Sequence, residues 1–238
     1  MIQINPYTIS IPLCHGNRYV IPDIHGCVRT LMALIEKIGL QKEDQLFLLG
    51  DYIDRGPESV SVIDYLIDLQ QDDYHIFPIR GNHEHNILMM HQNKMEKLIA
   101  KYIYKENTAA FFTSNLDLKP EYLGFFKSLP YFIELEDFFL VHGGFNFESK
   151  RPFENTDEMV QIRNWPYRPL PAKNKAIIHG HNPTELFEIQ KRIEWNAKII
   201  PLDNGCVFNY MLDMGNLLCL DLGTMQLLYQ ENTDAVVI

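Results

Sequence analysis

Gln45-Leu46-Phe47-Leu48-Leu49 reads as a buried strand, and it runs without a break into Gly50-Asp51-Tyr52-Ile53-Asp54-Arg55-Gly56. A short apolar run that stops at a polar, glycine-bounded turn is the pattern of a strand covered on both faces. The same arrangement recurs on either side. Upstream, Arg18 to Pro22 is a strand pattern ending in Asp23-Ile24-His25-Gly26; downstream, Tyr74 to Ile79 ends in Arg80-Gly81-Asn82-His83-Glu84. Two helical patterns lie between. Val28 to Ile38 has Leu31, Leu34, Ile35 and Ile38 at helical spacing, and Ser59 to Leu69 has Pro57 near its start, where a missing N–H costs little. Strand, helix, strand, helix, strand predicts an α/β fold, and the carboxyl ends of the strands are where ligand sites form in such folds.

Further along, Asn86 to Lys105 reads as one longer helix with Leu88, Met95, Leu98 and Tyr102 on its apolar face, and Phe111 to Ser128 as a shorter helical excursion. Together they predict a helical cap inserted at roughly residues 86–128. From Tyr131 the pattern turns to strands: Tyr131 to Leu135, Phe138 to Val141, Ala176 to Ile178, Ile193 to Ile200, and a meander of Val207 to Asp213, Leu217 to Leu222 and Met225 to Tyr229. With no repeat and no linker, the expectation is a single domain over 1–238, two sheets packed face to face with helices outside.

The 238 residues are 46% hydrophobic and 22% charged, which excludes a disordered chain. No apolar stretch is long enough for a membrane span. Met1 to Val20 shows no basic head before an apolar run, so no secretory signal is expected. Cys14, Cys27, Cys206 and Cys219 form no metal or disulfide spacing and read as reduced thiols of a cytoplasmic protein. A net charge of −10 argues against nucleic-acid binding. It also means that bound cations, not the chain's overall charge, would have to attract any phosphate-bearing substrate.

Five polar clusters sit at strand ends or in the loops between: Asp23-x-His25; Gly50 to Gly56; Gly81 to Glu84; His142-Gly143-Gly144; and Gly180-His181-Asn182-Pro183. Singly, each has an ordinary structural reading. In this order their Asp, Asn and His donors make a set suited to hard or borderline divalent cations, fitting manganese, iron, zinc and nickel alike; manganese is the expected one. A carboxylate can bridge two such ions about 3.5–4 Å apart, and the pair can stabilise in-line displacement at phosphorus.

The linked set D-x-H, G-D-x-x-D-R-G, G-N-H-E, H-G-G and G-H-x-P resembles the calcineurin-like metallophosphoesterases, and within them the small bacterial and phage serine/threonine phosphatases. The resemblance runs from about residue 18 to 225. It implies a calcineurin-like four-layer α/β/β/α sandwich of two mixed sheets with a helical insertion. It also implies two divalent metals, the first held by Asp23 and His25, the second by Asn82, His142 and His181, with Asp51 between them. By the same resemblance His83 is the general acid, Asp54 orients it, and Arg55 and Arg163 hold phosphate oxygens. Pro183 stands where many superfamily members carry a further histidine ligand, which favours the phosphatase branch over nucleases and phosphodiesterases.

Several other residues have plainer readings. Asp203 and Glu84 read as orienting neighbours of the ligands, His179 and His85 as non-ligands, and Lys94, Lys97, Lys101 and Lys105 as a solvated helix face. The implied activity is hydrolysis of phosphorylated protein, or of a small phosphoester, by a metal-bridging hydroxide. The alternative is symmetrical cleavage of diadenosine tetraphosphate, which Gly56-Pro57-Glu58-Ser59 favours and Asp54 opposes. A phosphate-binding scaffold without catalysis would have lost ligands that this chain retains.

Overall fold

The computed structural model describes residues 3–4, 8–106, 108–169 and 172–234. Along the chain the strands are β1 (Gln3–Ile4), β2 (Thr8–Ser10), β3 (Arg18–Ile21), β4 (Gln45–Leu48), β5 (His75–Pro78), β6 (Phe132–Glu134), β7 (Phe138–Val141), β8 (Ala176–His179), β9 (Ile199–Pro201), β10 (Asn216–Asp221) and β11 (Leu227–Glu231). The helices are α1 (Val28–Ile38), α2 (Ser59–Gln71), α3 (Asn82–Gln92), α4 (Glu96–Glu106), α5 (Pro120–Ser128), α6 (Thr156–Gln161) and α7 (Leu186–Glu194).

They form two mixed sheets, of order β11-β10-β3-β4-β5 and β1-β2-β6-β7-β8-β9. β3, β4 and β5 are parallel in register, with Ile21 beside Leu48 and Leu48 beside Pro78. Side-chain alternation then divides the core. Ile21, Leu46, Leu48 and Cys219 face α1 and α2, while Val20, Phe47, Leu49, Leu218 and Leu220 face Ile133, Leu140 and Ile178 of the second sheet. That double burial is why β4 reads as an unbroken apolar run. The outer face of the second sheet packs Phe132, Phe139 and Ile177 against Phe145, Phe147 and Met159, the last from α6. The result is the expected α/β fold of two mixed sheets with helices.

Several elements differ from the sequence expectation. The long helix over 86–105 is two helices. α3 begins at Asn82, where the Glu84 carboxylate takes the Gly81 N–H, and ends before Lys94, which turns left-handed at φ 52°. The lysine face is broken there as well. Ile87, Leu88, Ile99, Phe125 and Phe126 of this helical segment join the core shared by α1 and α2. Ile193 belongs to α7, in which Leu186, Ile189 and Ile193 are helically spaced; only Ile199–Pro201 pairs as a strand. Val207 to Asp213 forms no strand, so β10 and β11 make a simple antiparallel hairpin. No helix among the described residues is long and apolar enough to cross a membrane.

Candidate active site

Parallel pairing brings the ends of β3, β4 and β5 to one edge, and β7 and β8 end at the same place, with Val141 beside His179. Backbone bonds knit the loops together. Ile24 and His25 N–H donate to the Asp51 carbonyl at 3.0 and 2.9 Å, and Gly180 N–H donates to the His142 carbonyl at 2.9 Å. Glu84, fully buried, is the main fastener: its carboxylate accepts from the N–H groups of Asp51, Tyr52 and Gly81 at 2.9, 2.8 and 3.0 Å. Burial, and then Asp51, raise its pKa to about 7. The loops meet so closely that a Cβ on Gly81 would lie 2.2 Å from Asp51 N, and one on Gly180 2.1 Å from an Asp23 carboxylate oxygen. His25, Asp51, Asp54, Arg55 and His181 all have φ between 48° and 71°. Non-glycine residues rarely adopt that region outside sites that hold them there.

Every site residue expected from the sequence reaches this edge. The ligand atoms of His25, Asp51 and His83 lie within 4.8 Å of one another, as do those of Asp51, His142 and His181, so Asp51 belongs to both groups. Asn82 Oδ1 is 3.0 Å from His142 Nε2. Asp23 falls in neither group: both its oxygens accept from His181 N–H, at 3.0 and 3.1 Å, and its Oδ1 is 3.9 Å from His142 Nδ1, so its contacts are on the side of the second group rather than beside His25. His83 falls within a ligand-capable group although the resemblance makes it an acid. Its Nδ1 sits 2.5 Å from Asp54 Oδ2, and its Nε2 3.8 Å from Asp51 Oδ2. Arg55 Nη1 is 3.0 Å from His25 Nε2, and Arg163 Nη1 donates to the His181 carbonyl and to Asn182 Oδ1 at 3.1 and 2.9 Å.

The donor chemistry fits divalent cations. Nδ1 of His25 and of His142 lies 2.9 Å from the carbonyl oxygens of Ile53 and Leu49, so each Nδ1–H donates there and Nε2 is the nitrogen turned toward the site. His181 Nε2 is buried with no hydrogen-bond partner among the described residues. Burial lowers the pKa of His25 and of His181 to about 3, so both imidazoles are neutral. Burial, then Asp203 and Asp51, push Asp23 well above the usual carboxylate range. Burial would lower His142, but Asp51 and Asp23 outweigh it and raise its pKa to about 10. The buried Asp51 carboxylate thus draws positive charge to His142 Nε2, the place where a cation could stand instead of a proton. Asp203, buried and accepting from Gly205 N–H at 2.7 Å, acts on Asp23 through its charge. His179 is buried at the end of β8 against Trp165, and His85 packs on Tyr131; neither falls in the two groups.

Two neighbours of the site carried no sequence signal as such. Tyr102, read as an apolar position, donates its hydroxyl to Asp54 Oδ1 at 2.5 Å. Glu106, also on α4, accepts the Arg55 N–H at 3.0 Å.

Residues 17–211 match the profile of the calcineurin-like phosphoesterases. The chain belongs to that family, whose members hydrolyse phosphoesters with divalent metals. A symmetrical bis(5'-nucleosyl)-tetraphosphatase of Buchnera aphidicola is 34% identical over 90 residues, 36% of this chain and 32% of that protein. The chain thus spans about a third of the length of the curated relatives it matches first. An asymmetrical bis(5'-nucleosyl)-tetraphosphatase of Anoxybacillus flavithermus is 25% identical over 81% of this chain and 87% of its own length. Among solved structures, a protein provisionally assigned as a diadenosine tetraphosphatase superposes with a TM-score of 0.67 at 19% identity, covering 94% of this chain and 97% of that one. A protein serine/threonine phosphatase from Saccharomyces cerevisiae does so with 0.57 at 18%, covering 92% and 81%. At such identities these structures speak for the fold.

Proposed function

We propose that the chain is a divalent-metal-dependent phosphomonoesterase acting on phosphoserine and phosphothreonine in proteins. The Asp54–His83 pair carries this reading. A serine alkoxide is a very poor leaving group and needs a proton as it departs, whereas a nucleoside phosphate leaves without one. Asp54 is bonded to His83 on one oxygen and to Tyr102 on the other, which holds the imidazole in one orientation. Burial alone would lower the pKa of His83, and Asp51 and Asp54 oppose it; with cations offsetting Asp51, the Asp54 bond is what favours the protonated, donating ring.

Asp23, His25 and Asp51 would hold one cation, and Asp51, Asn82, His142 and His181 the other, manganese being the first choice. Such cations supply charge neutralisation at phosphoryl oxygens and acidify water. Arg55 and Arg163 flank the site and bind the phosphoryl oxygens. Arg55→Ala and Arg163→Ala should each weaken inhibition by orthophosphate or vanadate, by about tenfold for Arg55 and less for Arg163. An arginine whose loss leaves inhibition and turnover unchanged has no part in the site.

Tyr102→Phe removes only a hydroxyl. It should slow phosphoserine peptide hydrolysis roughly tenfold, the worth of a hydrogen bond to a charged group, and affect p-nitrophenyl phosphate much less. A loss equal on both esters would make Tyr102 a structural residue only.

A second reading is hydrolysis of dinucleoside polyphosphates, which the names of the relatives and Gly56-Pro57-Glu58-Ser59 favour. Assaying phosphopeptides beside diadenosine tetraphosphate, with manganese added, separates the two. Turnover of the nucleotide alone would overturn the protein-phosphatase reading.

A further inference from the structure

α3, α4 and the turn between them wall a groove of about 450 Å³ that opens directly onto Asp54 and His83. Met89, Met90, Met95 and Leu98 line it, and Met89, Met95 and Leu98 are 43%, 41% and 51% exposed. Soluble proteins seldom leave such apolar side chains together in water without a use for them. At the rim stand Lys101 and Lys105. Lys105 is paired with Glu106, whereas Lys101 forms no ion pair among the described residues. In a chain of net charge −10 an unpaired lysine beside apolar wall is a local attraction for an acidic group.

We propose that this groove is the subsite for the peptide residues flanking the phosphorylated side chain. An apolar neighbour would rest on Met89, Met95 and Leu98, and an acidic neighbour would face Lys101. The proposal rests on the protein-phosphatase reading, because it places the groove on the side where His83 meets the departing oxygen and where the rest of the substrate must lie. The chemistry of the wall favours a peptide. Thioether side chains adapt to varied aliphatic partners. A nucleoside base asks instead for a flat aromatic face and hydrogen bonds to its edge. The aromatic ring in the groove, Tyr102, commits its hydroxyl to Asp54 and packs edge-on against Phe112.

Two pairs of phosphoserine peptides test this, one differing by leucine against serine beside the phosphoserine, the other by glutamate against lysine nearby. The readout is the ratio of kcat/KM within each pair, so any loss of folding or metal cancels. The wild-type enzyme should prefer leucine and glutamate, each by about tenfold. Met95→Gln with Leu98→Gln should bring the leucine ratio to near one, and Lys101→Glu should invert the glutamate ratio. Ratios that do not change in these variants overturn the subsite. If the wild type cleaves none of the peptides but cleaves diadenosine tetraphosphate, the protein-phosphatase reading itself falls and takes the subsite with it.

Discussion

Asp51→Asn is expected to empty both cation positions and to lower hydrolysis of phosphoserine peptides and p-nitrophenyl phosphate alike, by about 10³-fold or more. Asp51 is the one residue common to both groups of ligand atoms, and it is buried, so nothing in solvent can take over its charge. The carboxamide keeps the shape and the hydrogen-bond acceptor but loses the anion that offsets the cations. His142→Ala, by contrast, removes a donor from the second group only and should mainly lower occupancy there. Elemental analysis of protein purified without chelator, approaching about two divalent ions per chain in the wild type, measures both effects. Full occupancy in Asp51→Asn would end its assignment as the shared ligand.

Much of this geometry could be read before any coordinates. β4 announces itself because it lies between β3 and β5 and all four of its residues are buried, and β3, β4 and β5 each run into a loop that brings residues to the candidate site: Asp23 and His25, Asp51, and Asn82 and His83. His142 and His181 follow β7 and β8 for the same reason. What could not be read depends on contacts distant in sequence. Tyr102 is 48 residues from Asp54, and only the packing of α4 against the Asp54–Arg55 loop makes its hydroxyl meaningful. The break at Lys94 is hidden because the apolar spacing continues across it. Ile193 to Ile200 shows the limit of short apolar runs. Isoleucines suit a strand, yet Ile193 completes a helical stripe with Leu186 and Ile189, and tertiary packing outweighs the β-branched preference. Val207 to Asp213 misleads in the opposite way: its Tyr210, Met211 and Leu212 are exposed in a turn, with no sheet to pack on.

His83→Asn should separate proton donation from metal binding. A general acid matters only where the departing oxygen needs a proton. Loss of His83 should therefore slow phosphoserine peptide hydrolysis by roughly 10²–10⁴-fold, whereas nitrophenolate, which departs readily unaided, should be affected far less. The structure sharpens the test, because His83 Nε2 lies within reach of His25 and Asp51 and could instead be a ligand. The two roles differ in metal content. As an acid, its removal leaves both cations in place, since Asn82 beside it still presents its oxygen to His142's side of the site; as a ligand, its removal empties the position shared with His25. Asp54→Asn should follow the acid pattern more weakly, because the amide can still orient the imidazole but no longer favours its protonated form. His25→Ala should impair both esters equally and lose metal. Equal losses on both esters for His83→Asn with metal intact would assign the ring to charge stabilisation at the phosphoryl group, and the Asp54 bond to fixing that charge in place.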